Sequence, residues 1–260
     1  MRWRLGIAGS PVAHSRSPQL HEAGLLMAGL EGTSSRVELD QAHSARLLEL
    51  MGGSFDALSV TMPLKADAAA LCASLDDAAR RTGVVNSLLF RDGTLRGACT
   101  DGFGFVDAVH AQFAVSLEGA RVVVIGAGGA ARGIIDALVH VGVETVGVLG
   151  RTASRVAEIT GPFKNVVDVA EFSGPLDLVI NATPAASREA NHELFPGVSA
   201  ATIAVDIAYD PVATPWRSLY EDAGCRTANG LGMLAYQAAL QMTWWWETAI
   251  DGAALLGVIS

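Results

Sequence analysis

The chain has 260 residues, half of them apolar, which is enough to bury one large core or two modest ones. Acidic residues outnumber basic ones by 27 to 18, and the formal net charge of −9 excludes a broad positive surface for a nucleic-acid backbone. An anionic ligand must therefore be held by a few local cations, helix N-termini and backbone N–H groups.

Cysteine spacing and hydropathy narrow the protein class further. The chain has no Cys-x-x-Cys pair among Cys72, Cys99 and Cys225, so we expect reduced thiols and no metal site. Residues 1–10 lack the sustained apolar core of a signal peptide, and no stretch reaches the roughly 20 apolar residues that span a bilayer. We therefore predict a cytoplasmic protein that binds neither membranes nor nucleic acid.

Short apolar runs alternate along the chain with longer stretches whose apolar residues recur at helical spacing, which is the α/β pattern. The runs are Leu5–Ala8, Ala57–Val60, Val122–Ile125, Val146–Leu149, Leu178–Ile180 and Ile203–Val205. Because these runs are apolar at consecutive positions, we expect helices to cover both faces of the sheet, as in parallel sheets.

Two patterns predict where the chain divides into domains. Residues 90–95 contain an Asp-Gly step between two β-like runs, which predicts a hairpin, and a helical pattern then runs from Thr100 to Phe113. A long helical pattern covers Leu231 to Ile250, and a late helix of this kind often returns to the first domain. We predict one domain of residues 1–101 and 229–260 and a second of residues 102–228.

A glycine-rich turn opens the second half of the chain. Residues 121–125 form a buried strand candidate, Gly126-Ala-Gly-Gly129 follows at once, and residues 130–141 have a helical pattern. This order is typical of a dinucleotide-binding turn, in which the backbone approaches a pyrophosphate at the helix N-terminus. A plain strand-to-helix connection is the alternative.

The end of the next strand indicates which dinucleotide binds. About 20 residues beyond the glycines, NAD-binding proteins place an acidic residue for the ribose hydroxyls, and S-adenosylmethionine enzymes also use an acid. Here Gly150-Arg151-Thr152-Ala-Ser154-Arg155 stands instead. Two guanidinium groups and two hydroxyls suit a 2′-phosphate, so we predict NADP, unless the arginines only decorate a solvated helix start. The small and polar residues of Asn181-Ala-Thr-Pro184 could border the nicotinamide end.

No isolated residue in the first hundred identifies a site, because a lone lysine is usually solvated and Ser-x-Ser before a helix usually caps it. Eight motifs in order change this. They are Gly9-Ser-Pro-Val-Ala-His-Ser-Arg-Ser-Pro18, Val60-Thr-Met-Pro-Leu-Lys65, Val85-Asn-Ser87, Thr100-Asp-Gly102, Gly126–Gly133, Gly150–Arg155, Asn181-Ala-Thr183 and Asn229-Gly-Leu-Gly-Met233. Through them the chain resembles, from end to end, the shikimate dehydrogenase family.

The resemblance implies an α/β fold of two domains, an N-terminal substrate-binding domain completed by the C-terminal helices and a Rossmann domain that binds NADP. It implies reversible NADP-dependent reduction of 3-dehydroshikimate to shikimate, in the chorismate pathway of aromatic amino acid biosynthesis. The expected partner is a small-molecule polyol acid, and the expected assembly is a monomer or homodimer.

The resemblance also implies roles for individual residues. Lys65 and Asp101 would exchange the hydroxyl proton while hydride moves to or from the nicotinamide. The other substrate-binding residues would be Ser15, Ser17, Thr61 and Tyr209 at the carboxylate, and Asn86 and Gln237 at the ring hydroxyls. The cofactor-binding residues would be Gly126, Ala127, Gly128, Gly129, Ala130, Arg151, Thr152, Arg155, Asn181, Ala182, Thr183, Ile207 and Gly230.

Two positions depart from the family pattern. Ser59 and Cys99 stand where most relatives have asparagine, and both exchanges remove a carboxamide, which offers two donor hydrogens and an acceptor. Because of these two exchanges, the sequence does not determine the geometry of the loops around Lys65 and Asp101 or which substrate the protein prefers. The alternatives are a paralogue that prefers quinate or an aminated analogue and a non-catalytic NADP(H) sensor.

Overall fold

The computed structural model describes residues 2–183, 193–211 and 213–260. The chain forms two compact units, the first of Met1–Asp107 with Leu234–Ser260 and the second of Ala108–Met233. The sequence placed the domain borders a few residues earlier in each case, at 101/102 and 228/229. The predicted borders separate a substrate-binding from a cofactor-binding domain, and that assignment stays a prediction. The borders of the compact units lie within the helices Asp101–Phe113 and Leu231–Trp246.

Twelve strands lie in the described residues. They are β1 Arg2–Gly9, β2 Glu31–Glu38, β3 Ala57–Val60, β4 Ser74–Leu75, β5 Ser87–Arg91, β6 Thr94–Ala98, β7 Arg121–Ile125, β8 Thr145–Leu149, β9 Val166–Asp168, β10 Leu178–Asn181, β11 Ile203–Asp206 and β12 Arg226–Ala228. All six apolar runs of the sequence fall within these strands, which confirms their prediction.

The same part of the chain contains ten α-helices. They are α1 Ser17–Met27, α2 Arg46–Gly53, α3 Lys65–Leu71, α4 Asp77–Thr82, α5 Asp101–Phe113, α6 Gly129–His140, α7 Ala153–Thr160, α8 Pro215–Asp222, α9 Leu231–Trp246 and α10 Gly252–Ile259. Each described helix is too short or too polar to span a bilayer.

The first unit contains a mixed sheet of order β2-β1-β3-β5-β6-β4. β1 runs parallel to β2 and β3, but β5 runs antiparallel to both β3 and β6. Asp92 and Gly93, with φ of 54° and 71°, form the turn between β5 and β6, which confirms the predicted hairpin. Because this hairpin reverses the chain, the expectation of a parallel sheet is wrong for this unit.

The second unit contains a sheet of order β12-β11-β10-β7-β8-β9 in which every pair is parallel. This is the doubly wound strand order of a Rossmann domain. Successive strands are added on one side of β7 up to β9 and on the other side from β10 onwards, so the topological switch point lies between β7 and β10. All residues of β10 and β11 are buried, so both faces of the sheet are covered, as the consecutive apolar residues predicted.

The last long helix is shorter than predicted. The helical pattern extends to Ile250, but α9 ends at Trp246 because Glu247 adopts a left-handed conformation with φ of 54°. Asp251 then accepts hydrogen bonds from the N–H groups of Ala253 and Ala254 and starts α10. Apolar periodicity does not reveal this break, because both helices bury apolar faces.

Candidate functional site

Lys65 and Asp101 form an ion pair in the first unit. Lys65 is the first residue of α3, and Asp101 is the first residue of α5. Lys65 Nζ donates a hydrogen bond to Asp101 Oδ2, and the exposed fractions of the two side chains are 15% and 6%. Limited access to water strengthens the attraction between the charges, so Asp101 fixes the position of the ammonium group.

Asn86 links Asp101 to the neighbouring segments. Its Oδ1 accepts a hydrogen bond of 2.8 Å from the backbone N–H of Thr100, and because a backbone N–H can only donate, this contact fixes the orientation of the amide. The Asn86 Nδ2 atom therefore donates to Asp101 Oδ1 at 2.9 Å and to Gln237 Oε1 at 3.0 Å. Asn86 is only 2% exposed, so these contacts are shielded from water.

Helix α9 brings Gln237 to this group. The Thr100 hydroxyl donates to the backbone carbonyl of Gln237 at 3.0 Å, and a Cβ atom at Gly104 would overlap the backbone of Gln237. The close contact between α5 and α9 thus requires glycine at position 104. The structure brings together four of the residues that the family resemblance implies: Lys65, Asn86, Asp101 and Gln237.

The four residues implied for the carboxylate are distributed over three places. Ser15 and Ser17 lie together, with 3.2 Å between their hydroxyl oxygens, and both are buried. The backbone N–H of Thr61 donates to the carbonyl of Ala8 near the end of β1. Tyr209 belongs to the second compact unit, where it follows β11.

The two departures from the family pattern leave the contact between Lys65 and Asp101 intact. The Ser59 hydroxyl donates to Gln241 Oε1 at 2.7 Å, and the Cys99 backbone N–H donates to the Asp76 carboxylate. Burial raises the pKa of the Cys99 thiol to about 12, so the thiol stays protonated at neutral pH and does not act as a base.

In the second unit, the residues implied for the cofactor follow the carboxyl ends of five neighbouring strands. Ile125, the last residue of β7, lies beside Leu149 of β8 and Asn181 of β10, and Asn181 lies beside Asp206 of β11. The five strand ends lead into Gly126–Ala130, Arg151–Arg155, Asn181–Thr183, Ile207 and Gly230. Pro184, which ends the polar segment that begins at Asn181, lies outside the described residues.

The turn after β7 consists of glycine and alanine and leaves the N-terminus of α6 uncapped by any side chain. Gly126 has a φ of 120°, and a Cβ atom there would lie 2.9 Å from the carbonyl oxygen of Ala182. No side chain caps α6, whose N-cap is Gly128, and the space beside Gly128 is open. The positive end of α6 is therefore accessible to an anion, and these residues fit a dinucleotide.

Arg151 and Arg155 lie beyond the end of β8, on either side of the start of α7. Both are exposed, and neither forms an ion pair with a carboxylate among the described residues. Arg132 of α6, in contrast, is paired with Glu158 of α7 at 2.5 Å. Two exposed guanidinium groups that form no ion pair within the described residues fit a phosphate at this position.

Comparison with known proteins assigns the chain to a family. Residues 7–88 match the family model of the shikimate dehydrogenase substrate binding domain, and residues 107–214 match that of shikimate / quinate 5-dehydrogenase. The shikimate dehydrogenase (NADP(+)) of Bordetella avium (strain 197N) is 35% identical over 97% of this chain and 93% of its own. The chain belongs to the shikimate dehydrogenase family. The eight motifs therefore predicted the family correctly.

Further relatives agree with this assignment. The shikimate dehydrogenase (NADP(+)) of Roseobacter denitrificans (strain ATCC 33942 / OCh 114) is 34% identical over 97% of each chain. The crystal structure of shikimate 5-dehydrogenase from Thermus thermophilus in complex with NADP(H) and shikimate has a TM-score of 0.86. That protein is 32% identical, and the match covers 99% of this chain and 98% of the other. The predicted fold of the shikimate dehydrogenase family is thus confirmed.

Proposed function

We propose that this chain catalyses the reversible, NADP-dependent reduction of 3-dehydroshikimate to shikimate. The observation that carries the proposal is the pair of Lys65 and Asp101, which Asn86 and Gln237 hold in place in the first compact unit. A secondary alcohol and its ketone interconvert only when a proton and a hydride both move, and a lysine held by a carboxylate serves as the proton carrier.

In the reducing direction, Lys65 Nζ donates a proton to the ketone oxygen, and in the oxidising direction it takes the proton from the hydroxyl. Asp101 orients the ammonium group through its Oδ2 atom. Asn86 and Gln237 contact the ring hydroxyls with their carboxamides, Asn86 as an acceptor through Oδ1 and Gln237 as a donor through Nε2. The substrate carboxylate is bound by the hydroxyls of Ser15, Ser17, Thr61 and Tyr209.

The bound cofactor would supply the hydride as NADPH in the reducing direction and would accept it as NADP+ in the oxidising direction. Gly126–Ala130 and the N-terminus of α6 hold its pyrophosphate, and Arg151, Thr152 and Arg155 hold its 2′-phosphate. The remaining contacts come from the ends of β10, β11 and β12, at Asn181, Ala182, Thr183, Ile207 and Gly230.

The proposal extends to the organisation of the protein. Residues 1–101 and 229–260 form the substrate-binding domain, and residues 102–228 form the NADP-binding domain. The enzyme works in the cytoplasm as a monomer or homodimer, in the pathway to chorismate and the aromatic amino acids.

Steady-state kinetics of the purified protein test this function. The ratio kcat/KM is measured for shikimate, quinate and an aminated shikimate analogue, each with NADP and with NAD, and we expect the highest value for shikimate with NADP. A higher value for quinate or the amino analogue would make the chain a paralogue of different specificity. Absence of turnover with every substrate would favour an NADP(H) sensor, and equal use of NAD would contradict the role of Arg151 and Arg155.

A further inference from the structure

A buried chain of hydrogen bonds leads away from Asn86 through side chains that have no role in the reaction proposed above. Gln241 Nε2 donates to the backbone carbonyl of Asn86 at 2.6 Å, and the Ser59 hydroxyl donates to Gln241 Oε1 at 2.7 Å. His21 Nε2 contacts the Ser59 hydroxyl at 2.9 Å, and His21 Nδ1 contacts the Ser34 hydroxyl at 2.8 Å.

The directions of the bonds that join Asn86, Gln241, Ser59 and His21 follow from the backbone carbonyl at the Asn86 end. A backbone carbonyl can only accept, so Gln241 presents its Nε2 atom to Asn86 and its Oε1 atom to Ser59. The Ser59 hydroxyl uses its proton on Gln241 and therefore accepts from His21 Nε2–H. His21 Nε2 therefore carries a proton, and because burial lowers the pKa of His21 to about 3, the ring is neutral at pH 7 and its Nδ1 accepts from the Ser34 hydroxyl.

We propose that Gln241 is a positioning residue that holds Asn86 where its carboxamide orients Asp101. Gln241 is 1% exposed and lies one helical turn after Gln237 on α9, so one face of α9 contacts the side chain and the backbone of Asn86 simultaneously. The Asn86 carbonyl also accepts from the backbone N–H of Val60 at 2.7 Å. Strand β3 and helix α9 therefore both donate hydrogen bonds to the Asn86 carbonyl.

This role explains how the chain tolerates serine at position 59. A serine side chain is too short to offer the two donors and the acceptor of a carboxamide. Gln241 supplies a carboxamide from the opposite element, and Ser59 fixes its orientation by donating to its oxygen. Ser59 and Gln241 thus act together. Loss of Gln241, which contacts Asn86 directly, should affect the position of Asn86 more than loss of Ser59.

The positioning role of Gln241 rests on the function proposed above only in that Asn86 faces the substrate. Two variants test this role. Gln241→Met keeps the side-chain length and removes both hydrogen bonds, and we expect kcat/KM for shikimate to fall by about tenfold to a hundredfold because Asn86 and Asp101 shift. Ser59→Ala leaves the hydrogen bond from Gln241 to Asn86 in place, so we expect a smaller decrease in kcat/KM for shikimate. The KM for NADP stays unchanged in both.

Met242→Ala serves as the matched control. Met242 is the next residue on α9, is fully buried and packs against Gly24 of α1, outside the hydrogen-bond chain. We expect it to lower the free energy of unfolding while kcat/KM for shikimate stays within about twofold of the wild type at a temperature where the protein is folded. Equal losses of kcat/KM in Met242→Ala and Gln241→Met would show a purely structural effect and overturn the proposal.

A crystal structure of the Gln241→Met variant separates this proposal from the function itself. We expect the distance between Asn86 Nδ2 and Asp101 Oδ1 to lengthen beyond a hydrogen bond, whether or not shikimate proves to be the substrate. An unchanged Asn86, or a kcat/KM within about twofold of the wild type, would overturn the positioning role. An inactive wild type would instead overturn the proposed function, and the position of Asn86 would still decide the role of Gln241.

Discussion

Lys65 is one of only two lysines in the chain, which makes its role unusually easy to test. Lys65→Ala removes the proposed proton carrier, so we expect kcat for shikimate oxidation to fall by about a hundredfold to ten-thousandfold, while NADP affinity measured by calorimetry stays intact. Lys164→Ala is the control, because Lys164 is exposed in the second unit and should have wild-type kcat. A Lys65→Ala variant with near-normal turnover would refute the acid–base role.

At the level of residues, the sequence indicated which side chains the structure brings together better than it indicated the contacts that support them. The eight motifs pointed to Lys65, Asn86, Asp101 and Gln237, because a family pattern preserves spacing that composition cannot reveal. Thr100 lies inside one of those motifs, yet its two contacts to Asn86 and α9 emerge only from the folded chain. Gln241 has no motif, and only its spacing of four residues from Gln237 could have indicated it.

At the level of secondary structure, β2 shows what apolar patterning misses. Its eight residues include one apolar side chain, Val37, and they alternate only between exposed and half-buried positions, so the strand has no apolar run. It forms nonetheless at the edge of the sheet, where all eight residues pair in parallel register with β1. Backbone hydrogen bonding and the neighbouring strand therefore determine β2 more than its side chains do.

The polar side chains of β2 have a use, because they hold the loop that carries Ser15 and leads to Ser17 at the start of α1. Arg36 donates from Nε and Nη2 to the carbonyl of Ser15, at 3.0 and 2.6 Å, and Glu38 accepts from the backbone N–H of Val12 at 3.1 Å. A charged donor with two bonds to one carbonyl restrains the backbone more than a neutral contact does.

Arg36→Met should therefore loosen this loop. Loss of the two bonds removes about 1 to 1.5 kcal/mol of restraint, which corresponds to a rise of about fivefold to tenfold in the KM for shikimate, with little change in kcat. Arg46→Met on α2 is the control, since Arg46 is also exposed but lies on another element. An unchanged KM in Arg36→Met, or an equal rise in both variants, would contradict a role for β2 in binding the carboxylate.

At the level of the whole molecule, the sequence predicted the second sheet more fully than the first. Most positions of β7, β8, β10 and β11 are apolar, as expected for strands covered on both faces, and the glycine turn predicts where the cofactor would bind. The first sheet mixes parallel and antiparallel pairs, and its order depends on contacts between segments far apart in sequence, such as Ser59 with Gln241. No local pattern encodes such contacts.

The buried His21 makes the stability of the folded chain depend on pH. Its pKa is about 3 in the folded state, because burial disfavours the charged imidazolium, against about 6.5 for an unfolded histidine. Between these values the unfolded chain binds more protons, so the stability that the neutral His21 contributes is complete above pH 6.5 and is lost as the pH falls towards 3. The slope from this one group approaches about 1.4 kcal/mol per pH unit.

Urea unfolding of the wild type and of His21→Gln between about pH 4.5 and 7.5 measures this contribution. We expect the variant to be less stable than the wild type at the upper end of this range, because the imidazole lies against Trp245 and between two serine hydroxyls. Its free energy of unfolding should nevertheless fall less steeply below about pH 6.5, so the two curves converge as the pH drops. His43→Gln, at an exposed position, should keep the wild-type slope. Parallel curves for the wild type and His21→Gln would mean that His21 is not held neutral by burial, and the acceptor role of His21 Nδ1 towards the Ser34 hydroxyl would lose its support.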